Sequence, residues 1–190
     1  QLISLSHLSN VAYATNADRG AGSNIHPPFK EYPGTRLGNA ARSIVYNDSR
    51  VSDWKSPSYE SSKIVSSTDV VVTLKDVPKT LEIFDVAPNS LDASYEACLE
   101  LNKATPRTCA YAEIKYDNGI SVNASVISVS GKTMTLRASN VPLNATRAVS
   151  TSYGWGAIPM LNVYSTDVTD GNPFGQLPVL PWGDEAIGGG

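Results

Sequence analysis

The spacing of hydrophobic residues changes about a third of the way along the chain, from a helical period to a period of two. In the first part, apolar residues at helical spacing predict an amphipathic helix over about 33–46. Its apolar face carries Leu37, Ala41 and Ile44, and we expect this face to pack on a sheet. Residues 10–14 are predicted to be the last strand of that sheet.

The second part alternates apolar and polar residues in short runs separated by turn residues. The clearest runs are 70–74 and 120–126. Asn118-Gly119 predicts a hairpin with a type I′ turn, in which both central residues take positive φ. Further strands are expected at 81–83 and 133–138. The pattern as a whole predicts a mainly β fold with an antiparallel β-sandwich.

Composition and charge narrow the function classes. The chain has 190 residues, of which 41% are hydrophobic, so it can bury a sizeable core. Its net charge of -3 and the absence of a Lys/Arg block argue against a nucleic-acid or anionic-membrane surface. No apolar run is long enough for a membrane-spanning helix, and no signal peptide opens the sequence. Three glycosylation sequons favour a secreted, extracellular or lysosomal protein and begin at Asn47, Asn123 and Asn144.

The two cysteines, Cys98 and Cys109, bracket a segment with the composition of a loop between strands. We predict a disulfide that pins this hairpin, and two free buried thiols are the alternative. The histidines are His7 and His26, and no motif has metal-ligand spacing. Neither a metal nor a cofactor is therefore predicted.

Candidate chemistry begins with His26, which lies where a proline-rich loop gives way to the predicted helix. A general base must be held within hydrogen-bond reach of the proton that it takes, and a rigid loop at a helix entrance meets this need. A structural or merely exposed histidine is the alternative interpretation.

Three blocks of sequence, spread over most of residues 1–182, add to this interpretation. The first comprises Ile25-His26-Pro27, Lys30, Gly34, Arg36-Leu37, Ala41 and Tyr46; the second is Ser56-Pro57-Ser58-Tyr59-Glu60-Ser61; the third comprises Tyr153, Trp155, Pro159, Asn162, Tyr164, Gln176-Leu177-Pro178 and Pro181-Trp182. In this order the blocks resemble the sialate O-acetylesterase family, carbohydrate esterases of the SGNH-hydrolase type.

The resemblance implies a Ser-His-Asp-type esterase that removes acetyl groups from sialic acid or another sugar, with His26 as its general base. The family carries its nucleophile in an N-terminal Gly-x-Ser-Asn block. This chain has no such block, and we interpret Gly22-Ser23-Asn24 as loop. The nucleophile is therefore expected on a missing N-terminal segment or a partner chain, and this chain is expected to be a C-terminal fragment or a processed subunit.

The acid that orients the histidine is assigned to Asp18, because Asn16 stands where many relatives have Asp. A neutral Asn does not stabilise the imidazolium as a carboxylate would. Asp18 has an alternative role, in which it caps a turn or pairs with Arg19.

The resemblance also suggests domain boundaries. Residues 1–50 would be the end of an SGNH-type α/β catalytic domain, comprising its last strand, the His26 loop and a helix. Residues 51–62 would be a linker, 63–182 a β-sandwich with a closing extended tail, and 183–190 a flexible end.

Two other functions remain open. One is an inactive esterase-like glycoprotein with a structural or assembly role. The other is a glycan-binding β-sandwich that uses residues 60–182 alone. In a glycan-binding protein, four aromatic residues would form a face on which sugars stack, and packing in the core is the alternative role for them. These residues are Tyr153, Trp155, Tyr164 and Trp182.

Overall fold

The fold is known from a computed structural model that describes residues 8, 10–20, 26, 28–51, 53–78, 80–84, 111–156, 159–165 and 172–188. Cys98 and Cys109 lie outside these residues, so the predicted disulfide stays a prediction. The elements in chain order are helix α1 (Glu31–Tyr46), strands β1 (Ser58–Ile64), β2 (Asp69–Lys75), β3 (Leu81–Ile83), β4 (Ala112–Tyr116), β5 (Ser121–Ser130), β6 (Thr133–Ala138), β7 (Ala148–Tyr153), β8 (Val163–Ser165), β9 (Leu177–Pro178) and β10 (Trp182–Ala186).

Seven strands form one sheet in the order β1-β2-β6-β5-β4-β7-β10, and every neighbouring pair is antiparallel. Strand β5 is ten residues long and pairs with β6 on one side and β4 on the other. A register shift between Val126 and Ser128 interrupts its pairing with β6, and such bulges bend a sheet. The two edge strands approach each other, and the Tyr59 hydroxyl on β1 donates to the Ala186 carbonyl on β10 at 3.1 Å.

The mainly β prediction is therefore confirmed, but the strands form one nearly closed sheet rather than two facing ones. A small second sheet, β3-β8-β9, lies beside it. Alternate residues along the strands face inward and fill the interior. They include Val70, Val72, Leu74, Ile114, Val126, Met134 and Leu136. Burying one such side chain contributes about 1.5–3 kcal/mol, so this core is the main source of stability.

The hairpin between β4 and β5 is confirmed, but its turn type differs from the prediction. Gly119 has a φ of 82°, whereas Asn118 is not among the residues with positive φ. The Gly119 N–H donates to the Tyr116 carbonyl at 2.9 Å, and the Tyr116 N–H donates to the Ile120 carbonyl at 2.9 Å. A single left-handed glycine thus closes a three-residue loop instead of a type I′ turn.

Residues 10–14 form no strand, which corrects the prediction for this segment. The described residues place no strand beside them, and an isolated strand leaves its backbone groups without partners. Side-chain contacts hold this segment instead. The Tyr13 ring lies edge-on to Trp54 with centroids 5.8 Å apart, and its hydroxyl donates to the Ser56 carbonyl at 3.4 Å.

Two strands extend beyond the bounds of the predicted β-sandwich, 63–182. Strand β1 begins inside the predicted linker, and β10 runs through the first residues of the predicted flexible end. Both are edge strands with few buried residues, and in β1 the Ser62 side chain is the buried one. Edge strands of this kind lack the apolar alternation by which strands are predicted.

Gly154 follows β7 with a φ of 61°, in the left-handed region that favours glycine. A Cβ at this position would collide with the Leu161 side chain and lie 3.4 Å from Pro181. We expect Gly154→Ala to lower the free energy of unfolding by about 2–4 kcal/mol, since backbone strain and overpacking add. Gly131→Ala is the matched control, because Gly131 also has positive φ but has open space around it. Urea unfolding measures the free energy of unfolding of both variants. If the two variants lost the same amount, the neighbouring Leu161 side chain would have moved aside and the collision would not destabilise the protein.

Candidate functional site

His26 lies in the loop that leads into α1, and its side chain is exposed. The helix begins five residues later, at Glu31, so the predicted position of the histidine at a helix entrance is confirmed. An exposed imidazole ahead of a helix is accessible to a substrate or to another segment. Its chemistry depends on how the loop is held.

The loop is held at its base by an ion pair between Asp18, which precedes His26, and Arg36, which follows it on α1. The two terminal nitrogens of Arg36 donate to the two carboxylate oxygens of Asp18, each at 2.8 Å. Both side chains are almost completely buried. This two-point geometry is the strongest form of the Arg-carboxylate contact, and it joins the two ends of the segment that carries His26.

Arg36 also binds two backbone carbonyls. Its Nε donates to the Gln176 carbonyl at 2.8 Å, and one Nη donates to the Thr15 carbonyl at 2.7 Å. One buried guanidinium therefore connects the N-terminal segment, helix α1 and the chain just before β9. Arg36 lies on the helix face of Tyr32 and Ala40, which are the other buried residues of α1.

The Asp18 carboxylate has two further partners. The Tyr164 hydroxyl on β8 donates to it at 3.3 Å, and the Arg19 Nε lies 3.2 Å from it. Burial first, and then the charge of Asp18, raise the pKa of Tyr164 well above its usual value, so the phenol stays a donor. Among the described residues, His26 is not a partner of Asp18. The alternative role, pairing with Arg19, is present in the structure.

Arg19 is fully buried and lies over the Tyr32 ring, with its Cζ atom 3.8 Å from the ring centroid. Its two Nη atoms have no hydrogen-bond acceptor in the described part of the chain. Asp18, Arg19 and Arg36 together have one excess positive charge, and all three side chains are buried from water. Such a cluster is tolerated because the carboxylate and the aromatic ring both face the cations.

The exposed side of α1 is apolar, which corrects the predicted packing of the helix. Leu37 is 49% exposed and Val45 is 64% exposed, and the Ala41 side chain between them is exposed too. These three residues follow one another at intervals of four and form a stripe, here called the outer stripe. The helix instead buries the side that carries Arg36, because that side chain reaches the Asp18 carboxylate.

The other predicted residues are spread over the surface and the core. Asn47, Asn123 and Asn144 are all exposed, and Asn47 caps the C-terminus of α1 in the left-handed conformation. Of the four aromatic residues proposed as a sugar face, Tyr153, Tyr164 and Trp182 are buried in the core, whereas Trp155 is 64% exposed. The four therefore do not form one sugar-binding face.

No three His, Cys, Asp or Glu side chains cluster as metal ligands within the described residues. In the same part of the chain, no helix has the length and apolar character needed to cross a membrane.

The sequence patterns assign Arg36 no role in the site, although Arg36 belongs to the first resemblance block. A local signal existed: Tyr32, Arg36 and Ala40 recur every four residues, so an arginine shares a helix face with residues suited to burial. A buried arginine requires a carboxylate, and Asp18 and Glu31 are the two acidic residues that precede Arg36. Glu31 is exposed in the structure, and Asp18 is the partner.

Comparison with known proteins gives matches to solved structures only. No family model and no curated protein sequence matches the chain. Its fold is similar to the crystal structure of XAC1771, a novel carbohydrate acetylesterase from Xanthomonas citri, with a TM-score of 0.57 and 19% sequence identity. The match covers 87% of this chain and 30% of that chain. The chain therefore shares its fold with a part of that enzyme, and this part is less than a third of the enzyme's length.

Proposed function

We propose that this chain is the part of a secreted carbohydrate O-acetylesterase that supplies the general-base histidine, His26. The nucleophilic serine is held on an upstream segment or on a partner chain. The observation that carries the proposal is the fold shared with 30% of a carbohydrate acetylesterase, together with an exposed His26 in a loop closed by a buried ion pair.

The proposed reaction divides between the two parts. The His26 imidazole takes the serine proton as the serine oxygen attacks the acetyl carbon, and donors on the other segment stabilise the oxyanion. The imidazolium then protonates the sugar oxygen as the ester bond breaks. Water, activated by the same imidazole, attacks the acetyl-serine and releases acetate.

In this proposal Asp18 acts as a positioning residue. Its carboxylate accepts hydrogen bonds from Arg36 and Tyr164 and forms an ion pair with Arg19. A direct hydrogen bond to His26 would displace one of these partners. The Asp18–Arg36 pair instead fixes both ends of the His26 loop. Positioning of this kind matters because a displacement of about 1 Å costs a catalytic group much of its effect, of the order of 10²-fold.

The outer stripe supports the presence of another segment. Leu37, Ala41 and Val45 expose apolar surface along one side of the same helix that anchors the His26 loop. A helix with one buried side and a second, exposed apolar side is suited to lie between two layers. The segment that carries the serine would cover this side and come close to His26.

The substrate is proposed to be an O-acetylated sugar, with acetylated sialic acid as the specific candidate from the family resemblance. We also propose a secreted or lysosomal location, which the three sequons support because their asparagines are all exposed. An inactive scaffold is the second candidate function. The observation that favours it is the occupied Asp18 carboxylate beside Asn16, where many relatives of the family have Asp.

A fluorophosphonate probe, which reacts with activated serines, tests the split site on protein purified from its native source. We expect the probe to label a Gly-x-Ser-Asn peptide outside these 190 residues, with release of acetate from acetylated sugars. Ser23→Ala is the control, because Ser23 belongs to the superficially similar Gly22-Ser23-Asn24 and is not expected to matter. Loss of labelling in that variant would make Ser23 the nucleophile, and absence of both labelling and hydrolysis would favour the scaffold.

A further inference from the structure

A concave site away from His26 lies between the N-terminal segment, residues 54–59 and residues 180–185. It is a cavity of about 590 Å³, within the ~300–1,000 Å³ typical of ligand pockets. Neither His26 nor Asp18 lines it. We propose that this cavity, here called the aromatic cleft, binds a neutral oligosaccharide. It is separate from the ester chemistry and does not depend on it.

Aromatic rings form much of the cleft wall. Tyr13, Trp54 and Tyr59 are partly exposed there, with the buried Trp182 behind them. Tyr13 and Trp54 lie edge-on with centroids 5.8 Å apart, and Tyr59 lies 5.3 Å from Trp182. Aromatic rings that present an apolar surface next to polar groups match the faces of a pyranose ring, which carry C–H groups bordered by hydroxyls.

The rings are held in place before any ligand binds. The Tyr59 hydroxyl contacts the Ser62 hydroxyl at 2.9 Å and donates to the Ala186 carbonyl at 3.1 Å. Burial, together with the Asp76 carboxylate, raises the pKa of Tyr13 to about 12, so its hydroxyl is protonated and contacts the Ser56 carbonyl. Pre-organised side chains lose little conformational entropy on binding.

Charged groups at the cleft balance. Lys55 and Lys75 are matched by Asp76 and Glu185, so the lining has no net charge. The Lys55 ammonium lies 4.0 Å from Asp76 and 5.8 Å from the Trp54 ring centroid. Carboxylates accept hydrogen bonds from hydroxyls and ammonium groups donate to them. A lining without net charge gives no net attraction for an anion, and this favours a neutral sugar as the ligand.

The cleft differs from the glycan site that is predicted within residues 60–182 alone. Tyr13, Trp54 and Tyr59 all precede that span, so a binding site in this cleft requires the whole chain. Trp155, the exposed aromatic residue of the proposed sugar face, does not line the cleft. It therefore provides a matched control.

The test is a calorimetric titration of the full chain with cellohexaose, chitohexaose and xylohexaose, and with sialyllactose as the anionic comparison. We expect at least one neutral hexaose to bind, and to bind more tightly than sialyllactose. Trp54→Ala should lower the association constant about tenfold, because removal of an aromatic anchor commonly costs that much, whereas Trp155→Ala should leave it unchanged.

Glu185→Gln is a second variant that leaves the packing intact, because Glu185 is exposed. It should weaken binding several-fold, because the charged carboxylate acceptor is replaced by the weaker neutral oxygen of an amide. The proposal is overturned if no neutral hexaose binds at millimolar concentration or if sialyllactose binds more tightly. It is also overturned if Trp155→Ala lowers the affinity as much as Trp54→Ala does, or if Trp54→Ala and Glu185→Gln both leave it unchanged.

Discussion

Asp18→Ala is expected to lower the free energy of unfolding by about 3–5 kcal/mol, because removal of one partner of a buried ion pair leaves uncompensated charge in the interior. Two buried guanidinium groups, those of Arg19 and Arg36, would lose their common carboxylate. The Tyr164 hydroxyl would lose its acceptor as well. Chemical denaturation followed by far-UV circular dichroism measures the change.

Asp48→Ala is the matched control for this loss. Asp48 also contacts two arginines, Arg42 and Arg50, but at the surface. Hydrogen bonds from Arg50 and then Arg42 hold its pKa well below the usual range. Solvent screens such a pair, so its removal should cost far less. Similar losses for Asp48→Ala and Asp18→Ala would mean that the buried cluster is not a major stabilising element.

His26→Ala is expected to lower kcat/KM for acetyl-ester hydrolysis by about 10³–10⁴-fold in the natively assembled protein, because the serine loses the base that takes its proton. KM should change little, since the imidazole acts on the transition state rather than on substrate binding. Initial rates of acetate release over a range of substrate concentrations separate the two parameters.

His7→Ala is the control, because His7 is the other histidine of the chain and has no assigned role. A fall in kcat/KM that is common to both variants would point to a general effect on folding. Full activity of His26→Ala would remove this residue from the mechanism, and with it the proposed division of the site.

Local patterns predicted the elements whose side chains alternate clearly. Met134 and Leu136 face the core of β6 as expected, and Val70 and Val72 do so in β2. Strand β1 carries no such signal, because it lies at the sheet edge and exposes most of its residues. The position of β1 depends on its pairing with β2 and on the Tyr59 hydroxyl, which donates to the Ala186 carbonyl at the opposite edge of the sheet.

The orientation of α1 shows why the candidate site was only partly predictable. Spacing alone favoured burial of Leu37 and Ala41, because they are apolar. The helix buries Arg36 instead, since its guanidinium finds the Asp18 carboxylate and two backbone carbonyls. These partners come from distant parts of the chain, and a hydrophobic pattern contains no information about which polar groups will meet. The position of His26 ahead of a helix was predictable, because the loop and the helix are adjacent in sequence.

The contacts of Arg36 and Asp18 have a consequence for the order in which the protein folds. One of the two carbonyls that Arg36 binds belongs to Gln176, 140 residues further along the chain, and Tyr164 follows Asp18 by 146 residues. Contacts of such sequence separation form late, because a long loop must close first. During synthesis the segment with His26 leaves the ribosome long before these partners exist. The base of the histidine loop is thus completed only after Tyr164 and Gln176 have been synthesised, long after His26 itself.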